Sequence, residues 1–98
     1  MAEKVNISDK IAQQIQEIAE VSLELDLKIL EYIKEDYEEI KALAKEQGLS
    51  QTQLIVEVLK GIEKGLIASG KLTFSAIKRI LASAKKYLEE LAAASSGW

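Results

Sequence analysis

The side chains with the most chemical potential in this 98-residue sequence are carboxylates that stand in two runs. The runs are Glu35, Asp36, Glu38 and Glu39, then Glu89 and Glu90. Paired carboxylates can act as acid and base, and in helical bundles they bind metal ions, usually together with histidine. The sequence has no histidine and no cysteine, and these glutamates fall on polar helix faces beside lysines. We therefore expect a solvated, salt-bridged surface, with no enzymatic activity, metal or cofactor.

Charge is distributed unevenly along the chain. Residues 1–49 carry 6 lysines against 12 acidic residues, net −6, and residues 50–98 carry 7 basic against 4 acidic residues, net +3. The stretch from Lys60 to Lys86 has seven cations and one anion, Glu63. A basic stretch can bind nucleic acid, but such domains are usually basic overall, and this chain has a net charge of −3. We expect the basic half to lie beside the acidic half and to be neutralised there.

A glycine followed by a capping residue marks the helix starts of the second half. Gly48 suits the left-handed residue that ends a helix, Ser50 is a good N-cap, and Gln53 completes a capping box three residues later. This pattern predicts a helix over about 51–68.

Gly70 and Thr73 repeat the arrangement and predict a last helix over about 74–94. Its predicted apolar face steps by three and four residues through Phe74, Ile77, Leu81, Ala84, Leu88 and Leu91. Its basic side chains lie away from that face: Lys78, Arg79, Lys85 and Lys86.

The helix over 51–68 has apolar residues around most of its circumference, so we expect it to be the central and most buried helix. It also contains Gly61 and Gly65 one turn apart, although glycine costs about 1 kcal/mol relative to alanine inside a helix. The close approach of another helix is the usual compensation, and we expect one here. Because Gly65 stands nearer the helix end, substitution there is predicted to be the milder of the two.

Two amphipathic segments in the first half predict helices over about 8–20 and 25–47, the first capped by Ser8 or Asp9. Between them, the stretch VSLELDLKI alternates apolar and polar residues with period two, which is typical of a strand. A turn, a strand and a continuous helix are all possible for residues 21–26. We favour a turn, with Ser22 or Asp26 capping the second helix.

These patterns together predict a single all-α domain over residues 1–94, a compact bundle of about four helices with short loops. No apolar run approaches the length of a membrane span, and we expect no targeting signal. We expect a soluble protein, compatible with recombinant cytoplasmic expression. A monomer is favoured, and a swapped or helical dimer is the alternative.

The stretch LAKEQGLSQTQL resembles the core of a helix-turn-helix DNA-binding motif. Residues 43–44 match the packed positions of its first helix, Gly48 the turn glycine and Leu54 the first buried residue of its recognition helix. The resemblance implies that the polar residues opening this helix would face DNA: Ser50, Gln51, Thr52 and Gln53. Glu57 departs from the motif, which has a buried apolar residue there.

The N-terminal stretch EKVNISDKIAQQIQEIAE is similar to the strand and first helix of ribbon-helix-helix repressors. That resemblance implies DNA contacts only by Lys4 and Asn6. Given the acidic total charge, we do not expect nucleic acid to be a partner.

The chain ends in AAASSGW, with its only tryptophan as the last residue. Such a tail, over residues 95–98, is typical of a flexible addition that supplies a chromophore. The whole chain resembles a de novo designed helical bundle, since it lacks histidine, cysteine and proline and has strong caps and a surface rich in Glu, Lys and Gln. We expect a designed scaffold without natural activity or partners, possibly recombined from natural fragments. A small helix-turn-helix regulator is the alternative.

Removing Ser95 to Trp98 is therefore expected to change the free energy of unfolding by no more than about 0.5 kcal/mol. Denaturant titrations of the full and shortened chains measure this. A blue-shifted native fluorescence of Trp98 would instead mean that the ring is packed, and would contradict the interpretation of the tail.

Overall fold

The computed structural model describes residues 6–94, and this part of the chain is helical apart from short connections. Its helices are α1 (Ile7–Val21), α2 (Leu25–Glu46), α3 (Gln51–Ser69) and α4 (Phe74–Ala94). Each end lies within one residue of its predicted position, so the predicted all-α bundle is confirmed. The tail over residues 95–98 lies outside the described residues. None of the described helices is both long enough and apolar enough to cross a membrane.

The helices form a closed ring in which α1 contacts α3, α3 contacts α4, α4 contacts α2 and α2 contacts α1. The pair α1 and α3 is parallel, because Gly61 faces Ile11 and Gly65, one turn later, faces Ile15. The pair α3 and α4 is antiparallel, because the first residue of α3 contacts the last turn of α4. The described residues form a flattened body of 36 × 34 × 20 Å.

The contact between α1 and α3 at Gly61 and Gly65 brings the two backbones together. A Cβ atom at Gly61 would lie 2.7 Å from the carbonyl oxygen of Ser8 and 2.7 Å from the Cβ atom of Ile11. A Cβ atom at Gly65 would lie 2.6 Å from the carbonyl oxygen of Ala12. Side chains do not fit at such distances, so the predicted close approach of a second helix is confirmed.

Isoleucine and leucine from all four helices fill the centre of the ring. The largest fully buried side chains are Ile11, Ile15, Ile29, Ile33, Ile40, Leu54, Val58, Ile62, Leu66 and Leu88. Burying a side chain of this size contributes about 1.5–3 kcal/mol. Apolar side chains of all four helices therefore meet in one core.

The turn between α2 and α3 closes as a Schellman motif. Gly48 has a positive φ of 73°, as predicted. The backbone N–H of Leu49 donates to the carbonyl oxygen of Ala44 at 2.9 Å, and the N–H of Gly48 donates to that of Lys45 at 3.1 Å. These two bonds satisfy carbonyls that the end of α2 would otherwise leave unpaired.

The turn between α3 and α4 also follows its sequence signals. Gly70 adopts a left-handed conformation with φ 67°. The hydroxyl oxygen of Thr73 accepts a hydrogen bond from the backbone N–H of Ala76 at 3.2 Å. The predicted stop and cap are both confirmed.

The cap of α1 is Asn6, so the predicted caps Ser8 and Asp9 are wrong. The Asn6 Oδ1 atom accepts a hydrogen bond from the backbone N–H of Asp9 at 3.1 Å and another from the Ser8 hydroxyl at 2.7 Å. Asparagine caps as well as serine or aspartate, so the helix starts at the earlier site. Ser8 consequently lies inside the first turn and is buried against α3.

The chain turns between α1 and α2, which confirms the predicted turn over the strand and the continuous helix. The predicted caps Ser22 and Asp26 are wrong, because Glu24 is the N-cap of α2 and makes no side-chain capping bond. Ser22 instead ends α1, donating its backbone N–H to the carbonyl oxygen of Ile18. The period-two alternation marks no buried face, since Leu23 is fully exposed.

Two predictions of burial are wrong. The predicted apolar face of α4 includes Phe74, which is 64% exposed and has the ammonium of Lys78 at 4.8 Å from the centre of its ring. Ile80, which is not part of that predicted face, is buried instead. The predicted central position of α3 is also wrong, because α3 lies in a ring with two main neighbours and its Val56 and Ile67 remain exposed. It still contributes four of the ten largest fully buried side chains, more than any other helix.

Alanine at Gly61 or at Gly65 is expected to destabilise the protein, although alanine favours helix formation. Overpacking typically costs about 1–3 kcal/mol, and here the obstacles include backbone oxygens that cannot rotate away. The two sites are equally tight, so the milder effect predicted at Gly65 finds no support in the contacts. Leucine should cost more than about 2 kcal/mol at either site.

Denaturant midpoints of these variants measure the effect, with Ala68→Leu on the exposed side of α3 as the control. The control should change stability by no more than about 0.5 kcal/mol. A Gly61→Leu protein as stable as its parent would place this face in solvent.

Candidate nucleic-acid interface

The residues that resemble a helix-turn-helix core do pack around the α2–α3 turn. Ala44 and Leu54 are fully buried, and Leu43 is partly buried against the core. The turn glycine Gly48 is left-handed. The local shape therefore matches the sequence, and the test of the resemblance lies in the polar side chains at the start of α3.

Ser50 and Gln53 bond to each other's backbone and form the predicted capping box. The Ser50 Oγ atom accepts from the backbone N–H of Gln53 at 3.2 Å. The Gln53 Oε1 atom accepts from the backbone N–H of Ser50 at 2.8 Å. Both side chains hold the first turn of α3, since they satisfy N–H groups that a helix start leaves unpaired.

Gln51 reaches across to α4. Its Nε2 atom donates to the carbonyl oxygen of Ala92 at 2.9 Å, and the side chain is half-buried. Ala92 stands in the last turn of α4, where carbonyl groups have no partner within the helix. Gln51 thus links the start of α3 to the end of α4. Of the four residues that the resemblance places against DNA, Thr52 is exposed and has no side-chain hydrogen bond described.

Glu57 stands where the helix-turn-helix motif has a buried apolar residue. Its side chain is half-buried, and its Oε2 atom is fully buried with no hydrogen-bond partner among the described residues. Glu57 precedes Gly61 by one turn, and Gly61 faces Ser8 in the first turn of α1. Where the motif has a buried apolar residue, this chain therefore has a partly buried carboxylate with an oxygen unpaired within residues 6–94.

Two lysines of the basic stretch reach α1. The Lys64 ammonium lies 2.6 Å from the Asp9 carboxylate, although both side chains are largely exposed. The Lys71 ammonium donates to the carbonyl oxygens of Ala19 and Glu20 at 3.3 and 3.2 Å. These carbonyls end α1, where the dipole favours a cation. The expected neutralisation of the basic half by the acidic half therefore holds for Lys64, whereas Lys71 bonds backbone carbonyl oxygens.

Three other cations of this stretch, Lys60, Lys78 and Lys85, line a groove of about 510 Å³ between α3 and α4. Val56, Leu59 and Leu81 give it an apolar floor, and it is bordered by Lys60, Lys78, Lys85 and Glu63. A phosphate backbone is held by cations and hydrogen-bond donors rather than by an apolar floor. The groove is therefore a poor match for a nucleic-acid backbone.

The carboxylates named in the sequence lie mostly in solvent. Glu35, Glu38, Glu39, Glu89 and Glu90 are exposed, and Asp36 is half-buried. Glu39 forms an ion pair with Lys10 of α1 at 2.7 Å. Among the described residues, no three such groups converge as metal ligands.

Sequence reasoning did not single out Tyr32, a buried titratable residue of α2. Its hydroxyl is buried and has no hydrogen-bond partner within residues 6–94. Burial raises the pKa of Tyr32 from 10.0 to about 12, and the nearby carboxylates of Asp36 and Glu39 add to the shift. The phenol stays protonated at neutral pH and supplies no base.

The resemblance to ribbon-helix-helix repressors implies DNA contacts by two residues, Lys4 and Asn6. Lys4 lies outside the described residues. Asn6 caps α1, where its Oδ1 atom accepts two hydrogen bonds.

The chain matches no protein-family model, no curated protein and no solved structure with which it was compared.

Tyr32→Phe is expected to leave the stability at neutral pH unchanged or slightly higher, because the lost hydroxyl is buried without a partner. In the parent, the stabilisation linked to the raised pKa is complete below pH 10 and is lost as the pH rises towards 12. This happens because the unfolded phenol ionises while the folded one stays neutral.

Denaturant unfolding at a series of pH values compares the parent with Tyr32→Phe. Between pH 10 and 12 the free energy of unfolding should fall less in the variant than in the parent, because the variant has no phenol at position 32 to ionise. Equal pH dependence in the two proteins would show that Tyr32 titrates normally in the folded state.

Proposed function

We propose that this chain is a designed structural scaffold with no natural biochemical activity. The observation that carries the proposal is the use of the side chains at the start of α3. Ser50 and Gln53 cap the helix on which they stand, and Gln51 bonds the end of α4. A DNA-reading helix needs these groups free to reach base edges.

The helix ends support the same proposal. Three helix starts have side-chain caps within the chain, at Asn6, Ser50 and Thr73. The ends of α2 and α3 are closed by left-handed glycines. The caps, the glycines and the apolar pattern all agree with one fold. Design procedures select for such agreement.

A second candidate is a small DNA-binding regulator of the helix-turn-helix type. The observation that favours it is the exposed Thr52 beside a turn of the expected shape. Against it stand the net charge of −3 and the apolar floor of the lysine-bordered groove.

Binding to duplex DNA as a function of salt separates the two candidates, because phosphate contacts give every DNA-binding protein a salt-dependent, sequence-independent term. We expect no such binding at low ionic strength. We also expect Gln51→Ala to lower the free energy of unfolding by about 0.5–1.5 kcal/mol, since it removes the bond to Ala92.

Thr52→Ala is the matched control on the same turn of α3. It should change stability by no more than about 0.5 kcal/mol. Sub-micromolar, salt-sensitive DNA binding by the parent that weakens in Thr52→Ala would contradict the scaffold proposal and support the regulator.

A further inference from the structure

The turn between α1 and α2 carries apolar side chains that the fold leaves in solvent. Val21 is 86% exposed, Leu23 is fully exposed and Leu27 is 50% exposed. Single exposed apolar residues are common, but a contiguous group usually marks an interaction surface. We call Val21, Leu23 and Leu27 the turn patch.

Leu23 lies between two open grooves. The first, of about 650 Å³, has Ile18 and Val21 in its wall, and the second, of about 530 Å³, has Leu72 and Ile80. Leu23 borders both of them. The surface thus presents a projecting apolar side chain next to recesses with apolar walls.

We propose that the turn patch binds the turn patch of a second copy of this chain. In a two-fold contact each molecule uses the same surface, so a projection must find a recess on an identical partner. Here Leu23 of each copy enters a groove beside Leu23 of the other. Both apolar surfaces are then removed from water by one contact.

The charges around the patch are of both signs. Glu24 and Lys28 border the first groove, and Glu24, Asp26 and Arg79 border the second. Because each groove carries both signs, a two-fold contact can set carboxylates of one copy against cations of the other. A surface of mixed sign has no net charge to select a strongly acidic or strongly basic partner.

The contact is small. Stable interfaces bury about 800 Å² on each partner, and a patch built on one turn falls short of this. The dimer is therefore weak and reversible, and appears only at high protein concentration. This differs from the swapped dimer considered from the sequence, in which α1 would leave its own α3 and pack against that of the other copy.

Sedimentation equilibrium of the full chain between about 10 µM and about 1 mM covers the affinity range of such weak dimers. The average mass should rise from 10.8 kDa towards twice that value. Leu23→Glu and Leu23→Lys should both hold the mass at that of the monomer, because either charge would be buried in the contact. Both should unfold at the parent's temperature in dilute solution, since Leu23 is fully exposed in the monomer.

Val56→Glu is the matched control, because Val56 is an exposed apolar residue of α3 in the groove facing α4, away from the turn patch. It should dimerise like the parent. A monomeric parent at about 1 mM would overturn the proposal. A dimer that persists in Leu23→Glu would also overturn it and would point to swapping. Equal loss of the dimer in Val56→Glu would do the same, as would a lower stability of Leu23→Glu in dilute solution.

Discussion

The backbone contact between α1 and α3 is the constraint on which the remaining packing depends. Positions 61 and 65 carry no side chain, so the carbonyl oxygens of Ser8 and Ala12 approach α3 as only glycine allows. Fixing the glycines opposite these residues sets both the separation and the register of the two helices. Ile11 and Ile15 then lie directly against α3 and are fully buried.

The parallel direction of α1 and α3 determines what the other helices and polar groups do. The helix α2 must return from the end of α1 to the start of α3, and its 22 residues span about 33 Å. The helix α4 runs back along α3, so its last turn meets Gln51. Lys71, just beyond α3, meets the last carbonyls of α1. Polar side chains that resemble a binding site are therefore placed where helix ends need partners.

Local signals predicted the helices of the second half because each depends on a few adjacent residues, such as Gly48 with the Ser50 capping box. The spacing of Gly61 and Gly65 also predicted a close helix, but their partner on α1 could not be read from it. The incorrect predictions concern contacts between residues that are distant in the sequence. Gln51 bonds a residue 41 positions away, and the rotation of α4 that exposes Phe74 and buries Ile80 is set by its neighbours.

Nuclear Overhauser contacts from the α protons of Gly61 and Gly65 test the α1–α3 packing most directly, because glycine α protons report what lies against the bare backbone. The account predicts strong contacts from Gly61 to the side chain of Ile11 and from Gly65 to that of Ile15. This ordered pair establishes both the closeness and the parallel direction. Contacts in the reverse order, or to no residue of α1, would contradict the account.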